Sequence, residues 1–97
     1  MQQVIDQLSP LLTLLVSTLE GDGYADAAGF FAQILRELDH AEDEMDLLGL
    51  FTFRLANSDE IVAAYGLTGT SVELIDLILA RAIEISAAYS ADGSVAH

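Results

Sequence analysis

The densest group of chemically capable side chains lies between residues 37 and 46, where acidic residues dominate. This acidic cluster consists of six carboxylates, namely Glu37, Asp39, Glu42, Asp43, Glu44 and Asp46. Such a cluster can hold a metal ion, or it can present a focused negative potential to a cationic partner. A purely structural role competes with both, because an acid in the first turn of a helix stabilises it by about 0.3 to 1 kcal/mol.

A metal site is the weakest of these three interpretations. Glu37 and His40 form a Glu-x-x-His pair, which in di-iron helix bundles is joined by a second such pair and two further glutamates. The only other histidine is His97. The cluster also lacks the spacing of a calcium loop, with its central glycine and terminal glutamate. We therefore expect no metal and no cofactor, and keep a carboxylate metal-binding domain only as a second alternative.

Catalytic patterns are equally sparse. His40 is the only credible general base, no serine stands in a nucleophile-elbow motif, and the chain contains no cysteine. The loop at 66–71 is glycine-rich but lacks the lysine of phosphate-binding loops. We expect a protein that is not an enzyme.

The balance of charge points to a class of partner. Sixteen acids face three arginines and no lysine, giving a formal net charge of −13. Because 53% of the residues are hydrophobic, the composition is typical of a folded protein and not of a disordered one. A charge of this sign repels nucleic acids and acidic lipid headgroups, so it argues against direct contact with either. It favours a basic protein as partner.

Length and hydropathy predict one soluble domain. The 97 residues suit a single domain spanning 1–97 with one core. No apolar run approaches the roughly 18 to 20 residues that cross a bilayer. The absence of cysteine permits any compartment and fits a reducing one, so we predict a cytoplasmic protein.

Hydrophobic periodicity predicts an all-α, single-domain, compact bundle of four to five helices. The first helix starts near Val4 or at Ser9, tolerates an early Pro10, and ends at Gly21. The second is the clearest amphipathic segment, over 24–38, and Asp22 is placed to cap it.

The C-terminal half of the chain predicts three more helices. The third, over 45–55 with acids in its first turn, is apolar almost all round and is expected to be buried. A short helix follows, with Asn57 as its N-cap and Gly66 at its end. A capping box at Thr70 and Glu73 opens the fifth, which is predicted to lie at the centre of the fold. We expect this helix to end near residue 89 and residues from about 90 to 97 to be a frayed tail.

The three arginines are expected to pair within the fold. Arg54 has no acid three or four positions away on its helix, which indicates a tertiary ion pair. Arg81 lies three residues before Glu84. Arg36 is expected to meet an acid near the end of the second helix, such as Glu37 or Asp39.

An excess of apolar residues on the third and fifth helices predicts an interface. It indicates homodimerisation or a hydrophobic groove. The aromatic residues best placed for a groove, which otherwise simply fill the core, are Phe30, Phe31, Phe51, Phe53 and Tyr65.

Two short segments resemble a known group of proteins. In one, the turn at 19–24 is followed by Ala27-Ala28 and Phe31; in the other, 64–66 is followed by 69–71 and 76–79. Together they resemble small helical bacterial proteins of the immunity and antitoxin kind. The resemblance implies a protein that binds and neutralises a partner, with no catalytic residues to carry over.

Three functional hypotheses follow. The first is a non-enzymatic inhibitor of the immunity, antitoxin or nucleic-acid-mimic kind, whose acidic cluster binds a basic toxin or nucleic-acid-processing enzyme. The second is a structural or scaffolding module that dimerises or holds a partner helix. The third is the carboxylate metal-binding domain.

Overall fold

The fold is known from a computed structural model that describes the backbone of residues 2–95 and the side chains of residues 4–88. It confirms the predicted all-α class. The helices are α1 (Gln2–Gly21), α2 (Ala25–Asp39), α3 (Glu44–Phe53), α4 (Ser58–Tyr65) and α5 (Thr70–Val95), with a 3-10 turn at Leu55–Asn57. The radius of gyration is 13.7 Å, close to the value of about 13 Å for a compact domain of 100 residues.

Helix α1 lies at the centre of the fold, packed between α2 and α5. Its inner face is a row of leucines spaced by three or four residues, the period that brings side chains to one side of a helix. All four are fully buried: Leu8, Leu12, Leu15 and Leu19. Pro10 lies inside the helix on the exposed side, so the earlier of the two predicted starts is the better one.

Helix α2 packs its apolar face on α1, as its amphipathic pattern predicts. Its buried residues are Ala27, Ala28, Phe31, Ile34 and Leu38. The turn before it is closed by the Tyr24 N–H, which donates to the Leu19 carbonyl at 2.8 Å, and Gly23 has a φ of 90°. Tyr24, with no side-chain hydrogen bond, occupies the N-cap. The prediction that Asp22 caps α2 is wrong.

Helix α3 is buried on one side only. Leu47, Leu50 and Phe51 pack inward, whereas Met45 and Phe53 are 75% and 74% exposed. The prediction that this helix is buried is wrong, because its contacts with α2 and α5 cover only part of its circumference.

Helix α4 begins after Asn57 and ends at Tyr65, as predicted, but it lacks the predicted side-chain cap. Gly66 adopts a left-handed φ of 64°, and the Leu67 N–H donates to the Val62 carbonyl at 3.1 Å, which returns the Leu67 side chain to the core. Asn57 makes no side-chain cap. Its amide Nδ2 instead donates to the Phe53 carbonyl at 3.0 Å, because the 3-10 turn already joins α3 to α4.

Helix α5 lies against α1 and α3 and is not the central element. Its inner face buries Leu74, Ile75, Ile78 and Ala82, while Ile83 is 69% exposed. Thr70 is its first residue and not the residue before it. The helix continues to Val95, beyond the predicted end, and 96–97 lie outside the described residues.

Candidate partner-binding surface

The acidic cluster lies at the junction between α2 and α3, and two of its members stabilise the start of α3. Asp43 is the N-cap residue, and its Oδ1 accepts a hydrogen bond from the Asp46 N–H at 2.9 Å. In return, Asp46 Oδ2 accepts from the Glu42 N–H at 3.0 Å. These bonds satisfy backbone donors that a helix start leaves unpaired. Part of the cluster therefore has the structural role considered for it.

Glu37 forms the tertiary ion pair expected of Arg54. The Arg54 Nε donates to Glu37 Oε2 at 3.0 Å, and the guanidinium carbon lies 5.8 Å from the centroid of the Phe30 ring. Both charged side chains are somewhat more than one third exposed. The expectation for Arg54 is confirmed. Glu37 is therefore a partly neutralised carboxylate that links α2 to the end of α3, and not a side chain pointing freely into water.

The remaining three carboxylates of the cluster are exposed. Asp39, the last residue of α2, accepts a long hydrogen bond of 3.4 Å from Ser9 Oγ on α1. The side chains of Glu42 and Glu44 have no hydrogen bond or ion pair with any described residue. These two unpaired acids are the part of the cluster best able to attract a cation on another molecule.

The other two arginines are also held within the chain. Arg81 Nη1 lies 3.3 Å from Glu84 Oε2, as predicted. Arg36 Nη2 donates to Gln33 Oε1 at 2.7 Å, one turn earlier on α2, so its predicted contact with Glu37 or Asp39 is wrong. Each arginine thus has an intramolecular partner, while the side chains of Glu42 and Glu44 have none among the described residues.

A pocket of about 390 Å³ lies between α2 and α3 beside the cluster. The Glu37–Arg54 pair, His40 and Asp46 line it together with Ala41, Gly49 and Leu50. His40 Nδ1 is 2.8 Å from the Arg36 carbonyl oxygen, a contact within the last turn of α2. Over the described part of the chain, no three His, Asp or Glu side chains converge as a metal site requires. His97, the second histidine considered for such a site, lies outside that part.

An apolar groove of about 280 Å³ lies on another side of α3, between α3, the 3-10 turn and α5. We call it the α3–α5 groove. It is lined by Phe51, Thr52, Leu55, Ala56, Leu79, Ala82, Ile83 and Ser86, none of which is charged. Phe53, the last residue of α3, is mostly exposed.

The aromatic residues predicted to form one groove lie in different parts of the fold. Phe31 is a core residue whose ring packs edge-to-face on Phe30 with centroids 5.0 Å apart. Phe51 lines the α3–α5 groove, and Tyr65 is 40% exposed on α4. The sequence reasoning missed the α5 wall, although the spacing of Leu79, Ala82, Ile83 and Ser86 already places them on one side of a helix.

Comparison with known proteins identified no relative of this chain. The chain matches no protein-family model, no curated protein and no solved structure. The likeness to immunity and antitoxin proteins accordingly stays a hypothesis. Between residues 2 and 95, no helix has both the length and the apolar character needed to span a membrane.

Proposed function

We propose that the protein is a non-enzymatic binding protein that attaches to a basic surface on another protein and neutralises it. The partner is a toxin or a nucleic-acid-processing enzyme, as for immunity proteins, antitoxins and nucleic-acid mimics. One observation supports this most strongly. Arg54 and Arg81 are held in intramolecular ion pairs, whereas the side chains of Glu42 and Glu44 are exposed and make no hydrogen bond or ion pair with any described residue. The protein therefore offers a partner free carboxylates, whereas two of its three guanidinium groups are neutralised by intramolecular ion pairs.

Electrostatics gives such a surface its selectivity. A net charge of −13 attracts cationic proteins and repels acidic ones and nucleic acids before any contact forms. Close pairing at Glu42 and Glu44 then fixes the orientation of the partner. An enzyme that binds nucleic acid carries a basic surface for phosphates, and an anionic protein of this kind competes for it.

A scaffolding role is the second candidate, and the α3–α5 groove favours it. An uncharged groove with an exposed apolar side chain at Ile83 is typical of a protein-binding face. A second copy of the chain also has a net charge of −13, and the repulsion between the two copies opposes homodimerisation.

Capture of a partner from the native host tests the proposal. The bait is the full chain at low salt, together with the variant Glu42→Gln/Glu44→Gln. The matched control is Glu20→Gln/Asp22→Asn, which removes the same charge from exposed acids at the opposite end of α2. We expect one stoichiometric basic protein to bind the wild type and the control, and to be lost with the Glu42→Gln/Glu44→Gln variant. Equal capture by both variants, or a captured protein that is not basic, would overturn the proposal.

A further inference from the structure

We infer that the α3–α5 groove receives an amphipathic helix of the basic partner, with its apolar face in the groove and its lysine or arginine residues against the acids beside it. This inference rests on the proposed function and names the form of the partner. It assigns the groove a role that the acidic cluster alone does not supply.

The groove has the shape of a helix-binding site. Its α5 wall runs from Leu79 to Ser86, about two helical turns. The opposite wall combines a buried floor at Phe51 and Leu55 with an exposed edge at Thr52 and Ala56. Amphipathic helices bind such grooves through apolar residues spaced by three, four and seven positions, which also cover about two turns.

Apolar surface left open in the groove supplies the binding energy. Ile83 is 69% exposed although it lines the groove, so a docked helix can bury most of its side chain. Burying most of an isoleucine side chain strengthens binding by about tenfold or more.

The charges around the groove select a cationic helix. Asp76 is exposed and lies three residues before Leu79 and seven before Ile83, so it occupies the same side of α5 as the groove wall. Asp59 and Glu60 are exposed in the first turn of α4, directly after the 3-10 turn that contributes Leu55 and Ala56. None of the three arginines lines the groove. Lysine or arginine flanking the apolar face complements these acids, whereas a second copy of this chain does not.

A defined peptide provides a direct test. The probe is a labelled amphipathic peptide of about 18 residues, roughly five helical turns, with leucine on one face and lysine on the other. Its control is a peptide of the same composition with the two residue types scrambled. Binding is followed by fluorescence anisotropy to the wild type, to Ile83→Ser, and to Leu14→Ser, which removes a leucine that is 53% exposed on α1, outside the groove. Circular dichroism checks that each variant is folded.

We expect the amphipathic peptide to bind the wild type more tightly than the scrambled one. We also expect Ile83→Ser to weaken binding about tenfold, while Leu14→Ser leaves it unchanged. Equal binding of the two peptides, or equal affinity of the two serine variants, would overturn the inference. A wild-type dimer in light scattering that Ile83→Ser converts to a monomer would overturn it as well, because the occupant is then a second copy.

The acidic variant separates this inference from the proposed function. Suppose that Glu42→Gln/Glu44→Gln weakens capture of the native partner and Ile83→Ser does not. The proposed function is then supported, and the inference about the α3–α5 groove is wrong. If only Ile83→Ser weakens capture, the α3–α5 groove binds the partner, and the proposed role of Glu42 and Glu44 is wrong.

Discussion

The α1–α2 pair and the α3–α5 pair are both rich in apolar residues, yet they bury them to different extents. In α1 and α2, residues such as Leu12, Phe31 and Ile34 are 0 or 1% exposed. In α3 and α5, Phe53 and Ile83 are more than two thirds exposed. The difference lies in the extent of packing, because α1 and α2 contact each other extensively, whereas α3 makes far fewer contacts with α5. The first pair therefore provides most of the stability, and the second retains apolar surface for binding.

The same contrast applies within the acidic cluster. Asp43 and Asp46 bind backbone amides, and Glu37 binds Arg54, so these three acids serve the fold. Glu42 and Glu44 have no such role for their side chains. Local density of charge identifies the region, but the missing intramolecular partner identifies the residues available to another protein.

The largest expected effect on stability comes from replacing a phenylalanine by alanine, once in the α1–α2 pair and once in the α3–α5 pair. Phe31→Ala removes a buried ring from the α1–α2 core and should lower the free energy of unfolding by about 3 to 5 kcal/mol. Phe53→Ala removes a mostly exposed ring and should change it by about 0.5 kcal/mol or less. Urea denaturation followed by circular dichroism measures both. Similar losses of unfolding free energy in the two variants would contradict the proposed difference in packing between the two helix pairs.

A smaller effect is expected at the start of α3. Asp43→Ala removes the side chain that accepts from the Asp46 N–H, and loss of such a cap costs about 1 kcal/mol. Glu44→Ala is the neighbouring control, since it removes an acid of the same turn that makes no hydrogen bond, and should cost about 0.3 kcal/mol. Thermal melts of the two variants compare them. If Glu44→Ala is as destabilising as Asp43→Ala, the division of the cluster into structural and free acids is incorrect.

The smallest effect is the coupling between Glu37 and Arg54. Because both side chains are more than one third exposed, a double-mutant cycle with Glu37→Gln and Arg54→Met should give about 0.5 kcal/mol of coupling. Arg54→Met alone should cost more than this coupling, since it also removes the contact with the Phe30 ring. Unchanged melting of Arg54→Met would show that the link between α2 and the end of α3 adds nothing to stability.

Local patterns in the sequence are sufficient to predict the helices. Leucines at helical spacing define α1, and Gly66 marks the end of α4 because its backbone takes a positive φ that glycine allows readily. Asp22 is not the N-cap of α2, and Asn57 occupies the N-cap of α4 without making the capping bond, since each cap depends on where the preceding turn places the backbone. Such geometry is set by tertiary packing and not by residue type alone.

The candidate surface is predictable only in part for the same reason. The sequence indicates that Arg54 needs a tertiary partner but not that this is Glu37, 17 residues away. It locates the acidic cluster but does not show which acids become engaged. The α3–α5 groove brings together residues from two helices and a turn, so no single stretch of sequence contains it.

The salt dependence of affinity for the captured basic partner tests the proposed function most directly. Calorimetry or anisotropy from about 50 mM to about 500 mM salt should show the affinity of the wild type falling at least tenfold, because salt screens charge pairing at exposed sites. The Glu42→Gln/Glu44→Gln variant should bind more weakly and show a shallower dependence. A wild-type affinity that stays constant over this range would contradict an electrostatic role for the acidic surface.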